Sequence, residues 1–436
     1  MSNQSDHYQT QVSILSIFFP NRSSQLITFF LFFFSFFPSI TCSNEAKKGV
    51  VQVPVAHLVG QPLGADHAYH QLPVCGGALN PYVSCPRMHQ LLLHETVDII
   101  KQEGEELLID IPHIFFVTEN TKVPQTRYWT SRKNIITHEQ LQKNGIDLKN
   151  IPKPISFQNP ATLAMQDVVT LLKPFQDRTT ELTYSAGTRF VVSRVKQNRK
   201  HMYVYALASA TGTLRELKIP YSYLIKSPQG SVNEKIQTFV DILTVWANQD
   251  GFIPYVWGGC SFSHLESSHT ILEHQEERKG ILHSWYTRKK PHTQNIFLNS
   301  GFDCAGLINR AAQMAGIPFF FKNTLTIAQN MHEIDASENL HAGDIIWIRG
   351  HVMVIADTKH NTIIEARGYD SDFGKVHEIA LHKVFEGIRT CADLKRSWIE
   401  KKPLRRLDKA GKIQDVFKTF KLLKLKSVFT ISPPSK

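Results

Sequence analysis

The sequence predicts an α+β fold in which two small β-barrels precede a domain built from helices followed by an antiparallel sheet. Three observations carry this. Short alternating apolar and polar segments, the period of a half-buried strand, cluster at about 83–140 and again at about 183–226. Apolar residues at helical spacing begin near Ser231 and near Asp303. Three strand-like runs then follow between 343 and 367, and helix followed by sheet is the α+β pattern. At 436 residues the chain is too long for one ordinary core and implies several domains. Its 42% hydrophobic and 20% charged content excludes a disordered or fibrous class.

Residues 1–46 read as a signal or anchor segment. Residues 25–41, QLITFFLFFFSFFPSIT, form a Phe-rich apolar run preceded by Arg22, like the apolar region of a signal peptide. The run is short for a membrane span and is broken by Pro38. Cys42 is a candidate lipidation site, but Ser39-Ile40-Thr41 fits a lipidation signal poorly, so cleavage or an uncleaved anchor ranks above it. Residues 47–82, rich in Gly, Pro and His, read as a loop-rich lead-in. The first barrel is placed at 83–144, with HETVDIIKQ, EELLIDI, HIFFVTEN and TRYWTSRKNIIT as its strands. A Pro-punctuated connector spans 145–175, and the second barrel spans 176–228 with TRFVVSRVK, KHMYVYALA and LRELKIP.

The α+β domain is placed at 229–390. Ser231-Val232-Asn233-Glu234 fits a capping box, in which the two side chains satisfy free N–H groups at a helix start. Ile236, Phe239, Val240, Leu243 and Trp246 then share one face, and Gly251 ends the helix. Residues 260–300 form a polar insertion read as a surface loop or lid. Its His264, His269, His274 and His283 lack helical metal-pair spacing, so no metal site is expected. A second helix runs from the N-cap Asp303 to Gly316, with Leu307, Ile308, Ala311 and Met314 on its apolar face. GDIIWIR, HVMVIAD and NTIIEAR are the strands.

The formal net charge is +11, and residues 395–436 hold thirteen Lys or Arg against three Asp or Glu. Residues 391–436 therefore read as a basic tail suited to an anionic surface or polymer, or simply to solvent. With no zinc-finger or RNA-binding signature, nucleic acid is not an expected partner. Membrane association is open through residues 25–41 or the tail. The six cysteines are sparse and form no CxxC pair; Cys75 and Cys85 would be positioned to pair if the chain is exported.

Cys304 follows directly on the N-cap Asp303. Its sulfur is expected in the first helical turn, where free N–H groups and the helix dipole favour a thiolate, the nucleophile of acyl transfer. His351 opens a strand after Gly350 and is the candidate base. Glu365 interrupts the apolar run Ile363-Ile364-Glu365-Ala366 and is the candidate to hold the second ring nitrogen of His351. Each residue alone has a plainer explanation: packing for the cysteine, surface exposure for the other two. Their order on the predicted elements raises the chemical reading. Glu365→Gln is expected to be mild, since an amide still accepts a hydrogen bond.

Pro254-Tyr255-Val256-Trp257-Gly258-Gly259, then Gly301-Phe302-Asp303-Cys304-Ala305-Gly306-Leu307, then Ala342-Gly343-Asp344-Ile345-Ile346 and Gly350-His351-Val352 resemble the NlpC/P60 family in its order. The resemblance covers about 231–385 and implies a papain-like catalytic domain. The preceding β-rich region resembles bacterial SH3-like domains, chiefly through Ser185-Ala186-Gly187-Thr188-Arg189-Phe190. The resemblance implies an exported cysteine peptidase of the periplasm or cell envelope. It would hydrolyse γ-D-glutamyl-diamino acid bonds of peptidoglycan stem peptides through a thioester, without cofactor or metal. Cys304 matches the nucleophile, His351 the base and Glu365 the third catalytic position. Tyr255 matches a tyrosine near the sulfur that binds substrate or oxyanion. Asp303 matches an acidic residue that helps hold the substrate's free amine. Ala305 stands where the family usually has Ser, and the insertion at 260–300 is longer than usual. An amidase or acyltransferase on the same fold, or a non-catalytic wall-binding protein, are the alternatives. Little linker separates Ile225 from Ser231, so the β-rich region is expected to pack on the catalytic domain as one wall of its groove.

Overall fold

The computed structural model describes residues 47–431 except 71, 73–84, 119–122, 157–166, 195–199, 209–211, 226–229, 265–299, 369–370 and 372. The expectations for residues 1–46, for Cys75 and for most of the polar insertion lie outside the described residues.

The first part of the chain builds one antiparallel sheet of seven strands. They are β1 (Lys47–Val51), β2 (Val55–Val59), β3 (Arg87–Leu92), β4 (Thr96–Glu103), β5 (Glu106–Asp110), β6 (Arg127–Ser131) and β7 (Ile135–Thr137). Their order is β3-β2-β6-β5-β4-β1-β7. The lead-in expected at 47–82 is thus corrected, because β1 and β2 belong to this sheet. Val50 and Val51, and Ala56, Leu58 and Val59, are completely buried, and that burial stabilises strands the Gly, Pro and His content obscured. Helix α1 (His138–Lys143) follows, started by a capping box between Thr137 and Gln140.

The next part supplies β8 (Val168–Leu171), β9 (Phe175–Gln176), β10 (Thr183–Tyr184), β11 (Arg189–Arg194), β12 (His201–Ala208), β13 (Thr213–Pro220) and β14 (Leu224–Ile225). Five of these form a second sheet in the order β13-β12-β11-β8-β14. Two closed barrels are expected from the sequence, but among the described residues no strand pairing closes either sheet. One reason lies at the β3 edge of the first sheet. Gln90 there accepts hydrogen bonds from Cys260 N and Ser261 Oγ, so the edge is covered by a later segment and not by β7.

Helix α2 (Val232–Ala247) begins where the capping box places it. Ser231 accepts from Glu234 N, and Glu234 accepts from Ser231 N at 2.6 Å. Phe239, Val240, Leu243 and Trp246 are buried. A short ladder of β15 (Cys260–Ser261) and β16 (Gly301–Phe302) leads into α3 (Cys304–Met314), and α4 (Thr324–Asn330) follows. The third sheet contains β17 (Ile345–Ile348), β18 (His351–Asp357), β19 (Thr362–Arg367) and β20 (Lys375–Ala380). The three strands read from the sequence are β17 to β19.

The remaining elements are α5 (Leu381–Val384), α6 (Cys391–Ile399), β21 (Leu404–Leu407), β22 (Ile413–Phe417) and β23 (Phe420–Leu423). Strand β23 pairs with β17, which makes the third sheet β20-β19-β18-β17-β23. The expected basic tail at 391–436 is therefore corrected. Its apolar residues Leu394, Leu404, Leu422 and Leu423 are buried, while most of its Lys and Arg side chains point outward. The alternation within β21 is that of a strand with one covered face.

All eleven residues of α3 are buried, its polar face included. The face bearing Arg310 is covered by the first sheet. Arg310 donates to Glu95 Oε1 at 2.6 Å and to Cys260 O at 3.1 Å. Phe115 and Phe321 form a further bridge, with Phe115 N donating to Phe320 O at 3.1 Å. Trp246 Nε1 donates to Leu172 O at 2.9 Å, and Ala186 N to Phe262 O at 2.8 Å. The three sheets thus pack together within one compact unit, 46–436.

Candidate active site

Cys304 stands at the first position of α3. The N-cap Asp303 accepts a hydrogen bond from Gly306 N through Oδ1, which satisfies one of the free N–H groups of the helix start. The approach to this turn is set by the 254–260 segment. Asp303 N donates to Gly259 O at 3.1 Å, Phe302 N to Pro254 O at 3.1 Å and Val256 N to Phe302 O at 3.0 Å. The contact is too close for side chains: a Cβ on Gly306 would sit 2.0 Å from Gly259 O. Gly258 has φ +68°, and a Cβ there would meet Arg87 O at 2.4 Å. The glycines of both sequence motifs are thus explained by backbone approach.

The Cys304 thiol lies against the backbone N–H of Val352, the residue after His351. His351 is the first residue of β18, and its Nε2 lies 2.6 Å from Glu365 Oε2 on the neighbouring strand β19. Glu365 is 1% exposed. An ionised carboxylate only accepts, so Nε2 carries the proton and Nδ1 keeps its electron pair. The structure places Cys304 at the start of α3 against the N–H of Val352, and His351, the residue before Val352, against Glu365.

Burial pushes the Cys304 thiol up to about 12, and the Asp303 carboxylate adds to this. The N–H groups of Val352 and Ala305 and the charge of Lys322 act the other way without overcoming it. Burial likewise pulls the His351 imidazole down to about 4, and Arg406 reinforces it against the pull of Glu365. The preformed thiolate expected from the helix dipole is not the resting state. A dipole contribution of about 0.3–1 kcal/mol is smaller than the cost of charging a buried thiol. Both shifts favour the neutral thiol and the neutral imidazole.

Asp303 and Tyr255 require separate comment. Asp303 Oδ2 lies 3.2 Å from Lys322 Nζ; Lys322 is buried and Asp303 is partly buried. Asp303 is thus already engaged by a cation of the protein itself, which bears on its expected grip on a substrate amine. Tyr255 is 9% exposed and shares the hydrophobic core that includes Cys304. Its backbone N donates to Gly374 O at 2.9 Å, and it bridges to Phe302. Ala305, where a serine is usual in the resembled family, is buried.

Sequence reading missed the other groups around Glu365. Arg406 Nη2 donates to Glu365 Oε2 at 2.6 Å. His377 Nε2 lies 3.2 Å from Oε1, and Arg367 Nη1 lies 3.8 Å from Oε1. Burial works to raise the Glu365 carboxyl, but Arg406, His351 and His377 outweigh it and hold the group well below the usual carboxylate range. Arg367 closes the apolar run NTIIEAR, where a charged residue could have been noticed. Arg406 had no such signal, because it comes from the stretch whose charge suggested a solvated tail.

No family model matches the sequence, and no curated protein matches it. Among solved structures the chain is similar to an NlpC/P60 family protein from Bacillus cereus ATCC 10987. Identity is 13% and the TM-score 0.46, over 77% of this chain and 94% of that one. It is also similar to NlpC2 from Trichomonas vaginalis, with 11% identity and a TM-score of 0.29 over 77% of this chain and 94% of that one. NlpC1 from the same organism gives 10% identity and a TM-score of 0.29 over 78% and 89%. These structural neighbours are NlpC/P60 family proteins. At such TM-scores the functional reading rests on the site's own geometry.

Proposed function

We propose that the chain is a cysteine peptidase acting on cell-wall peptides, with Cys304 as nucleophile, His351 as base and Glu365 as the group that orients His351. The observation that carries this reading is the buried Glu365 carboxylate at 2.6 Å from His351 Nε2, beside a cysteine at a helix N-terminus. In the proposed reaction His351 Nδ1 takes the thiol proton as Sγ attacks the peptide carbonyl. The C–N bond breaks, the leaving amine takes the proton from Nδ1, and a thioester remains. His351 then removes a proton from water, whose oxygen attacks the thioester, and the acid product leaves as the thiol is re-formed. Transfer of the proton during attack suits a pair that rests neutral.

The bond proposed is that between γ-D-glutamate and a diamino acid in exported, envelope-facing material. The first sheet packs against α3 through Arg310 and against 319–326 through Phe115 and Val117, which supports its proposed role as a wall of the substrate groove. Purified wall fragments should yield new amino-terminal diamino acid products by mass spectrometry. Cys304→Ala and His351→Ala should abolish them while leaving the circular dichroism spectrum unchanged. Continued product formation by folded Cys304→Ala would refute the assignment.

A further inference from the structure

We propose that the β21–β22 hairpin is a built part of the active site, with Arg406 as a positioning residue that holds Glu365 and, through it, His351. This inference concerns the same site as the peptidase reading and rests on it for its effect on turnover. The geometry is specific. Arg406 Nη2 and His351 Nε2 both lie 2.6 Å from the same oxygen, Glu365 Oε2. Arg406 and the imidazole therefore share one carboxylate oxygen. Both Arg406 and Glu365 are buried, so the contact is not a solvent-screened surface pair.

The hairpin is anchored around this contact at several points. Arg367, on the same strand as Glu365, donates to Leu407 O at 2.5 Å and to Gln414 Oε1 at 2.9 Å. Glu386 N donates to Arg405 O at 2.9 Å, and Phe385 forms a bridge to Arg406. The Arg367 guanidinium also stacks over Phe373, 4.6 Å from the ring centre, and Phe373 packs edge-on against His377. Among the described residues, four side chains reach Glu365, each from its own strand: His351 from β18, Arg367 from β19, His377 from β20 and Arg406 from β21.

The consequence is chemical. One carboxylate between two guanidiniums leaves an excess positive charge beside His351, and this opposes its protonation at rest. A fixed guanidinium also prevents Glu365 from rotating away from Nε2, so the proton stays on Nε2 and Nδ1 remains the base. A Lys in its place would offer a point charge on a flexible stem, which fixes Glu365 less firmly.

Arg406→Ala, Arg406→Lys and, as a control, the exposed Arg405→Ala are compared with the unaltered full-length chain. The His351 imidazole is titrated by NMR on histidine-labelled protein, its signal identified by loss in His351→Ala. Arg406→Ala should raise the His351 midpoint by about one pH unit, because a nearby cation has been removed. It should lower kcat on wall peptides about tenfold or more with little change in KM, and added guanidinium should restore part of the loss. Arg405→Ala should match the unaltered chain. A folded Arg406→Ala with unchanged His351 midpoint and kcat would overturn the proposal. Should Arg406→Ala fail to fold, Arg406→Lys decides: a kcat loss of about threefold or more at constant KM supports positioning, and an unchanged kcat and His351 midpoint overturn it. The titration needs no substrate, so a chain inert toward every wall peptide would refute the peptidase reading while the midpoint still judges Arg406.

Discussion

Replacing Arg310 by Met should destabilise the chain more than any surface change, because it strands a buried carboxylate. Arg310 is 2% exposed and donates to Glu95 Oε1, Cys260 O, Gln313 Oε1 and Gln90 O. Burial works to raise the Glu95 carboxyl, but the charge and hydrogen bond of Arg310 hold it below its ordinary value. With Arg310 gone, Glu95 must stay buried and charged without its partner, or take up a proton. Breaking such a pair costs about 3–5 kcal/mol, a large part of the ~5–15 kcal/mol that holds a typical domain together. Glu95→Gln in the same background removes the stranded charge yet keeps an acceptor for Leu92 N, which now donates to Glu95 Oε2 at 2.8 Å. The double variant should therefore recover about 2 kcal/mol relative to the sum of the single losses. Urea unfolding followed by circular dichroism and tryptophan fluorescence measures all four proteins. If Arg310→Met costs less than about 1 kcal/mol, or the two changes simply add, then the covering of α3 by the first sheet does not depend on this pair.

Three further outcomes follow from the geometry. His94 donates from Nδ1 to Arg189 O and accepts from Leu207 N at Nε2, which requires a neutral ring, and burial holds it at about 4. Its folded value lies below the usual 6.5, so its stabilisation is complete above pH 6.5 and is lost as pH falls toward 4. About 3 kcal/mol should disappear over that window, measurable as a falling urea midpoint that His94→Asn makes less pH-dependent. Gly306→Ala should lower the melting temperature and abolish activity together, since its Cβ would overlap Gly259 O; an active, equally stable variant would contradict the close approach. Glu365→Gln should cost about a hundredfold in kcat, because it leaves Arg406 and Arg367 facing a neutral amide; a change under about threefold would restore the milder expectation drawn from hydrogen bonding alone.

The parts of the site that were legible in the sequence are those with local signals. Ser231 and Glu234 announce α2 by a capping pattern three residues apart, and Asp303 announces α3 in the same way. Ile345 to Arg367 read as strands because their apolar residues are nearly continuous, as both faces are covered. What was not legible depends on contacts distant in sequence. Arg406 reaches Glu365 across 41 positions, and Arg310 reaches Glu95 across 215. Neither leaves a periodic trace, and the charge of Arg406 was counted with the tail. The resting charge of Cys304 was also hidden, because a helix start is visible in sequence whereas the depth of burial around it is not.

Strand β23 and the hairpin before it also impose an order of events. A chain is made from its N-terminus, and the pieces that embrace Glu365 and border β17 are synthesised well over a hundred residues after β15 and roughly a hundred after Cys304, several seconds later at ordinary elongation rates. Until 404–423 emerge, Ile345–Ile348 has an unpaired edge and Glu365 lacks its strongest counter-charge. Cys304 is thus made early, and the groups that hold Glu365 against His351 are made late. On the peptidase reading proposed above, the direction of translation would set when the site is completed.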